Sequence, residues 1–295
     1  MSYLFQFLFM ILLTIFACGK VTLQSRVCRQ HLHGTRDSVF FNALFFTSVL
    51  IFLAIIFHPT VYTVYTLIFG AMVGASTVLF QCTYTMALAC GPVSLTVMIS
   101  GFSILISTIA SIVMFNETVS IFQIIGIVFL ISSLILTTVE KGASKHINMK
   151  WLVLSLTALV SNGLGATLQK TYSQFFAASE KGDTSISFLI VIYAAATLFS
   201  FLLLIFLKEP SGRKFEFKNS LPFALGMGLI ISVYQRLYMI GLANIDGVFF
   251  FPMSSGLSSL SMTLIGVLLF RDKLSKNQWL GTACGLVSVC LMNIR

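Results

Sequence analysis

Residues 246–281 read DGVFFFPMSSGLSSLSMTLIGVLLFRDKLSKNQWLG, an apolar helix laced with hydroxyls, a turn at Phe270-Arg271-Asp272-Lys273, and the opening of another helix at Gln278 and Gly281. An offset of 155 positions lays its part from Met253 to Gly281 over Met98 to Gly126. Met253, Ser255, Gly256, Ser258, Thr263, Phe270, Ser275, Gln278 and Gly281 then fall on Met98, Ser100, Gly101, Ser103, Thr108, Phe115, Ser120, Gln123 and Gly126. A match of that density, half a chain apart, predicts two copies of one plan.

Working outward, the copies lie in a chain of 295 residues that is 57% hydrophobic and 9% charged, with 29 Phe and 2 Trp. No water-soluble core of that length absorbs so much apolar surface. Crossing hydrocarbon takes about 20 apolar residues per helix, and the chain divides into about ten such runs. They are expected at Tyr3 to Leu23, Val39 to Phe57, Val64 to Ala87, Pro92 to Met114 and Val119 to Thr138, then at Trp151 to Phe175, Ile186 to Leu207, Leu221 to Leu242, Gly247 to Phe270 and Leu274 to Asn293. The fold class is therefore an all-α polytopic membrane protein with ten transmembrane helices.

The polar stretch EKGASKHINMK, Glu140 to Lys150, separates five helices from five. It divides the chain into a first repeat at 1–140, a linker at 141–150 and a second repeat at 151–295. Thr22-Leu23-Gln24 recurs as Thr167-Leu168-Gln169, which extends the echo to helices one and six. An odd number of spans per copy makes the second enter from the opposite side, so the repeats are inverted. Inverted repeats are a common plan of secondary transporters, with the substrate near the midplane.

The net charge of +9 suits loops rather than nucleic acid, because the bases fall between apolar runs. Threading the helices alternately puts Arg26, Arg29, Arg36, Lys141, Lys145, Lys150, Lys208, Arg213, Lys214, Lys218, Arg271, Lys273 and Lys276 on one side, with Lys181 and Arg295 on the other. The rich side is predicted to be cytoplasmic, with both termini outside. Six scattered cysteines, with no CxxC and no His pair nearby, predict packing residues and no metal site or cofactor. The first run lacks a basic lead and a small-residue cleavage site, so a spanning helix is expected there rather than a signal peptide.

Two five-helix copies, the turn Ala87-Leu88-Ala89-Cys90-Gly91-Pro92, and Phe115-Asn116-Glu117-Thr118-Val119-Ser120-Ile121-Phe122-Gln123-Ile124-Ile125-Gly126 resemble the EamA-like ten-helix branch of the drug/metabolite transporter superfamily. The resemblance covers essentially the whole chain and implies architecture far more than substrate. Arg271-Asp272-Lys273 departs from the Gly-Glu pair usual in that turn, and the charge bias places the termini opposite to where ten-helix relatives are commonly drawn.

Arginine costs about 2.5 to 3.5 kcal/mol at a helix centre, so one inside a span is a functional hypothesis by default. Arg236 sits in Tyr234-Gln235-Arg236-Leu237-Tyr238, where a guanidinium would pair with a carboxylate or phosphate. The bland alternative is snorkelling past Asn244 and Asp246. Gln81 and Tyr84 occupy the matching part of helix three, and Asn162 and Gln169 are polar groups within helix six. Ser255 follows Pro252, which frees a carbonyl one turn earlier. These eight, Arg236, Tyr234, Tyr238, Gln81, Tyr84, Asn162, Gln169 and Ser255, are the expected substrate-binding residues. Pro252, Gly163 and Gly165 are the expected hinges. Lys20 and Lys170 are expected to snorkel, and the stripes Ser100, Ser103, Ser107, Ser111 and Ser254, Ser258, Ser261 to pack. Gly70-x-x-x-Gly74 and Gly281-x-x-x-Gly285 fit close helix contacts.

No Asp or Glu falls within the middle of a span, which disfavours proton-coupled export of organic cations. The expected function is a secondary active transporter, an exporter, of a small anionic or zwitterionic metabolite such as an amino acid, working by alternating access in the plasma (inner) membrane. Its partners would be that small molecule, membrane lipid and a coupling ion, either a proton or a counter-substrate, with the protein a monomer or homodimer and no nucleic acid. A lipid or polyprenyl-phosphate flippase is the alternative. A membrane-embedded enzyme fits less well, because His31, His33, His58 and His146 all fall in loops or at span ends.

Overall fold

The computed structural model describes residues 3–30, 35–58, 61–90, 96, 99–138, 149–179, 182–207, 217–269 and 276–292. Ten helices run through these residues: α1 Tyr3–Gln30, α2 Thr35–Ile56, α3 Val64–Cys90, α4 Ser103–Phe115, α5 Ile121–Thr138, α6 Met149–Phe175, α7 Ser185–Phe206, α8 Phe217–Asn244, α9 Gly247–Leu269 and α10 Lys276–Met292. A two-residue antiparallel pair, β1 Ala178–Ser179 with β2 Gly182–Asp183, links α6 to α7. Six of the helices are long and apolar enough to cross a membrane by length and composition. The all-helical polytopic membrane fold is as the sequence implies. Most of the linker, the turn Phe270 to Lys273 and the pair Gly91-Pro92 lie outside the described residues.

Two boundaries differ from expectation. α1 continues past Leu23 to Gln30, because no Gly or Pro interrupts the polar residues that follow its apolar run. Helix four is not continuous from Pro92. Ile99 to Gly101 is helical, the chain turns at Phe102, and α4 proper starts at Ser103. Three-residue bonds close that break, Phe102 N–H to Ile99 C=O at 3.1 Å and Leu105 N–H to Phe102 C=O at 3.0 Å.

Local chemistry sets the α4–α5 hairpin. Asn116 ends α4 in the left-handed region at φ 50°, which asparagine tolerates better than most residues. A capping box then opens α5. Ser120 Oγ accepts the Gln123 N–H at 3.3 Å, and Gln123 Oε1 accepts the Ser120 N–H at 3.0 Å.

The chain forms two compact units, and each draws on both halves of the sequence. The first comprises Met1–Cys18, Ala87–Gly163 and Asn244–Arg295, and therefore holds α4, α5, α9, α10 and the leading part of α6. In it α5 lies along α10, where the Ser288 hydroxyl donates to the Gly126 carbonyl at 2.7 Å. A Cβ on Gly126 would come within 2.9 Å of Met292, and one on Gly285 within 2.9 Å of Ser133 Oγ, so both glycines serve close helix contact. Trp151 Nε1 donates to Thr96 Oγ1 at 2.8 Å near the start of α6.

The second unit, Gly19–Met86 with Leu164–Ala243, holds α2, α3, α7, most of α8 and the trailing part of α6. Gly70 and Gly74 of α3 face α7, where added Cβ atoms would sit 2.6 Å from Val191 and 2.7 Å from the Ile192 carbonyl. α2 meets α8 at Ser48, whose hydroxyl bridges the carbonyls of Phe45 and Ala224 at 2.7 Å each. One end of this unit is tied by a buried hydroxyl chain. Thr63 Oγ1 meets Thr66 Oγ1 at 2.8 Å, Thr66 Oγ1 meets the Tyr172 hydroxyl at 2.8 Å, and that hydroxyl also bonds Thr184 Oγ1. The Tyr172 ring stacks on Phe188 with centroids 3.7 Å apart.

Candidate functional site

In the second unit the polar groups of α3 and α8 fall on definite faces. Gln81 is buried and Tyr84 half-buried on α3, with Tyr84 stacked on Phe80 at 5.5 Å. At about 100° per residue they lie on the side of α3 opposite exposed Ile68, Met72 and Leu79. On α8 the rings of Tyr234 and Tyr238 sit 5.6 Å apart on one face, and Gln235 Nε2 donates to the Tyr193 hydroxyl at 2.8 Å. Tyr193 in turn packs near Phe46 at 6.2 Å. Tyrosine, glutamine and aromatic edge thus form one contiguous group across α2, α7 and α8.

Arg236 is half-buried and lies on a different face of α8 from the two tyrosines. It is two residues from each tyrosine, so it points about 200° round the helix from both, and within about 20° of the face of exposed Leu225 and Leu229. Neighbours in sequence, Arg236 and Tyr234 are not neighbours on the helix. The end of α8 at Asn244 lies about 12 Å further on at 1.5 Å per residue.

The lysines depart most from expectation. Lys170, five residues before the end of α6, has no exposed surface, so it does not snorkel. Lys20 lies ten residues inside the end of α1, half-buried, with Nζ 5.9 Å from the centre of the Phe45 ring, a cation–π contact. The reason is common to both. A stem reaches headgroups only when the side chain faces outward, and helix direction, not distance to the helix end, decides that. Beside Lys170, Gln169 is half-buried, and its Oε1 is buried without a hydrogen-bond partner among the described residues.

In the first unit Asn162 is exposed, yet it lies about 180° round α6 from Val153 and opposite the exposed apolar run Val153, Leu156, Val160 and Leu164. Its Nδ2 donates to Ser103 Oγ at 2.7 Å, one residue beyond the break at Phe102. The adjacent Gly163 permits that approach, since a Cβ there would lie 2.7 Å from Ile106 Cβ and 2.9 Å from the Ser103 carbonyl. Gly165, in the second unit, is less confined, 3.3 Å from Ser76 Oγ.

Also in the first unit, Ser255 is half-buried on α9, three residues after buried Pro252. Ser107 and Ser111 are buried and bond back to carbonyls of their own helix, as packing serines do. Among the described residues no cluster of His, Cys, Asp or Glu suits a metal ion. Reasoning from sequence missed the burial of Lys170 and the Gln235–Tyr193 bond. The second had a signal, since buried tyrosine hydroxyls seek partners. The first had none.

No curated protein matches the chain. A solved crystal structure of a protein superposes on it with a TM-score of 0.72, covering 98% of each chain at 13% identity, a likeness that shows the fold alone. Residues 149–294 match the EamA-like transporter family. With ten helices among the described residues, six of them long and apolar enough to cross a membrane, and an EamA-like transporter domain at residues 149–294, the chain is a multi-pass membrane protein of the drug/metabolite transporter superfamily.

Proposed function

We propose that the protein is a secondary active exporter of a small anionic or zwitterionic metabolite in the plasma membrane, built as two inverted five-helix repeats and working by alternating access. One observation carries the reading. The basic residues deep in the described helices, Lys20, Lys170 and Arg236, all belong to the second unit, while the sole acid in any described helix is Asp37 in the first turn of α2. Basic residues set this far inside apolar helices are functional-site candidates by default, and they suit a cargo that brings negative charge.

In the second unit the groups proposed to face cargo are Gln81, Tyr84, Gln169, Tyr234, Tyr238 and Arg236. In the first they are Asn162 and Ser255, with Pro252 and the glycines of α6 allowing movement. Uptake into proteoliposomes of labelled anionic, neutral and cationic members of one compound class tests this. Anions should lead, and preference for the cation would end the reading. Arg236→Gln, checked for folding, should weaken anion uptake about tenfold, and unchanged affinity and rate would remove Arg236 from the site.

A second reading has support from the same arginine. Arg236 shares its helix face with exposed leucines, where a lipid-borne phosphate would reach it. Translocation of headgroup-labelled lipid across the same proteoliposomes, with soluble anions left behind, would favour a flippase.

A further inference from the structure

We infer that the bodies which move in transport are the two compact units rather than the two repeats, and that α1 and α6 flex at Cys18–Gly19 and Gly163–Leu164 to let them; this rests on the alternating-access reading above. The chain passes between the units after Cys18, Met86, Gly163 and Ala243. Two of these points fall in the last turn of a helix, α3 ending at Cys90 and α8 at Asn244, where a connection readily absorbs a change of angle. The other two lie inside α1 and α6, with about three turns or more of helix on either side.

Both of these crossings occur at the same place in their repeats. The offset of 145 that carries Thr22-Leu23-Gln24 onto Thr167-Leu168-Gln169 also carries Cys18 onto Gly163 and Gly19 onto Leu164. Each helix changes partners there within a few residues. On α1, Cys18 is hydrogen-bonded to Ser261 of α9 in the first unit, while Gly19 faces Ile230 of α8 and Lys20 the Phe45 ring of α2 in the second. On α6, Asn162 bonds Ser103 and Gly163 is pressed on Ile106, both of α4 in the first unit, while Gly165 meets Ser76 of α3 in the second. A glycine stands at each hand-over, where a helix bends at little cost.

Within each unit, helices from different repeats are fastened together. Ser288 of α10 donates to the Gly126 carbonyl of α5, Glu117 accepts the Val248 N–H of α9, and Ser48 of α2 donates to the Ala224 carbonyl of α8. A repeat moving as one body would break these ties. A unit moving as one body keeps them.

The test needs no known cargo. Nitroxide side chains are genetically encoded, two at a time, at exposed Ile55, Ile124, Leu202 and Leu280, and their distances are read by pulsed electron paramagnetic resonance on the full chain in liposomes. Ile55 with Leu202, and Ile124 with Leu280, share a unit and join different repeats, so each should give one sharp distance. Ile55 with Ile124, and Leu202 with Leu280, share a repeat and join different units, so each should give two. Gly19→Ala, whose Cβ meets Ile230 at an ordinary 3.6 Å, should reduce the lesser of those two populations about fivefold, and Gly226→Ala, within one unit, should not. The converse pattern of distances, or two distances for every pair, overturns the inference and leaves alternating access standing. One distance for every pair overturns both. An unchanged population ratio in folded Gly19→Ala overturns the flexing of α1 at that residue.

Discussion

Glu117 and Val248 are joined across 131 positions of sequence: the carboxylate Oε2 accepts the Val248 N–H at 2.9 Å. Val248 is the second residue of α9, so an acid in the α4–α5 turn caps the start of another helix in the same unit. A carboxylate there satisfies an N–H that has no intrahelical partner and complements the positive end of the helix dipole. Glu117→Ala should cost about 1 to 2 kcal/mol, and Glu117→Gln about half of that, because the amide retains the acceptor and loses the charge. Thermal unfolding of the purified variants in detergent measures the difference.

Gly228 on α8 faces Ser48 so closely that an added Cβ would lie 2.2 Å from its Oγ and 3.1 Å from its backbone carbon. Gly228→Ala should therefore drive α8 from α2, break the Ser48 bridge to Ala224, and cost more than about 3 kcal/mol, seen as loss of folded protein. Gly226→Ala, two residues away, meets Leu23 at an ordinary 3.5 Å and should fold within about 1 kcal/mol of the parent. Equal yields of the two variants would contradict the α2–α8 contact.

The Asn162–Ser103 pair separates a transport role from a packing role. Ser103→Ala removes one neutral hydrogen bond, worth about 1 kcal/mol, and should leave transport near the parent rate. Asn162→Ala removes the exposed amide as well and should lower transport by about tenfold or more. Equal losses in the two variants would assign Asn162 to the α4–α6 contact alone.

Tyr172→Phe keeps the stack on Phe188 and deletes the hydroxyl between Thr66 and Thr184, both fully buried. The expected cost is about 1 to 3 kcal/mol. Adding Thr66→Val should recover part of it, since removing both partners leaves fewer unsatisfied groups than removing one. A melting temperature for the double variant below that of Tyr172→Phe would contradict the role of this chain.

Helix number and order were legible in the sequence because hydrocarbon demands unbroken apolar runs, and eight of the ten helices lie within a few residues of where hydropathy puts them. α1 overran its apolar stretch because helices end where hydrogen bonding ends, not where polarity begins. The break at Phe102 was hidden since no proline or charge marks it, and Ser100, Gly101 and Ser103 are all tolerated inside a continuous span. Site residues were read less well for one physical reason. In a membrane helix the lipid face and the partner face are both apolar, so Arg236 beside Tyr234 looks like one cluster until Leu225 and Leu229 are seen to be exposed. Lys170 illustrates the converse, a charge whose direction no pattern of neighbours announces.

The interleaving of the two units bears on how the protein is made. The first unit closes only with residues after Asn244, and the second only with residues between Leu164 and Ala243. At about 5 to 20 residues per second, the ribosome leaves the first five helices waiting in the bilayer for roughly 10 to 30 seconds. Throughout that interval the Gly126 face of α5 lacks Ser288 and Met292 of α10, against which it will pack. Until α10 is made, lipid or an insertion factor has to occupy that face.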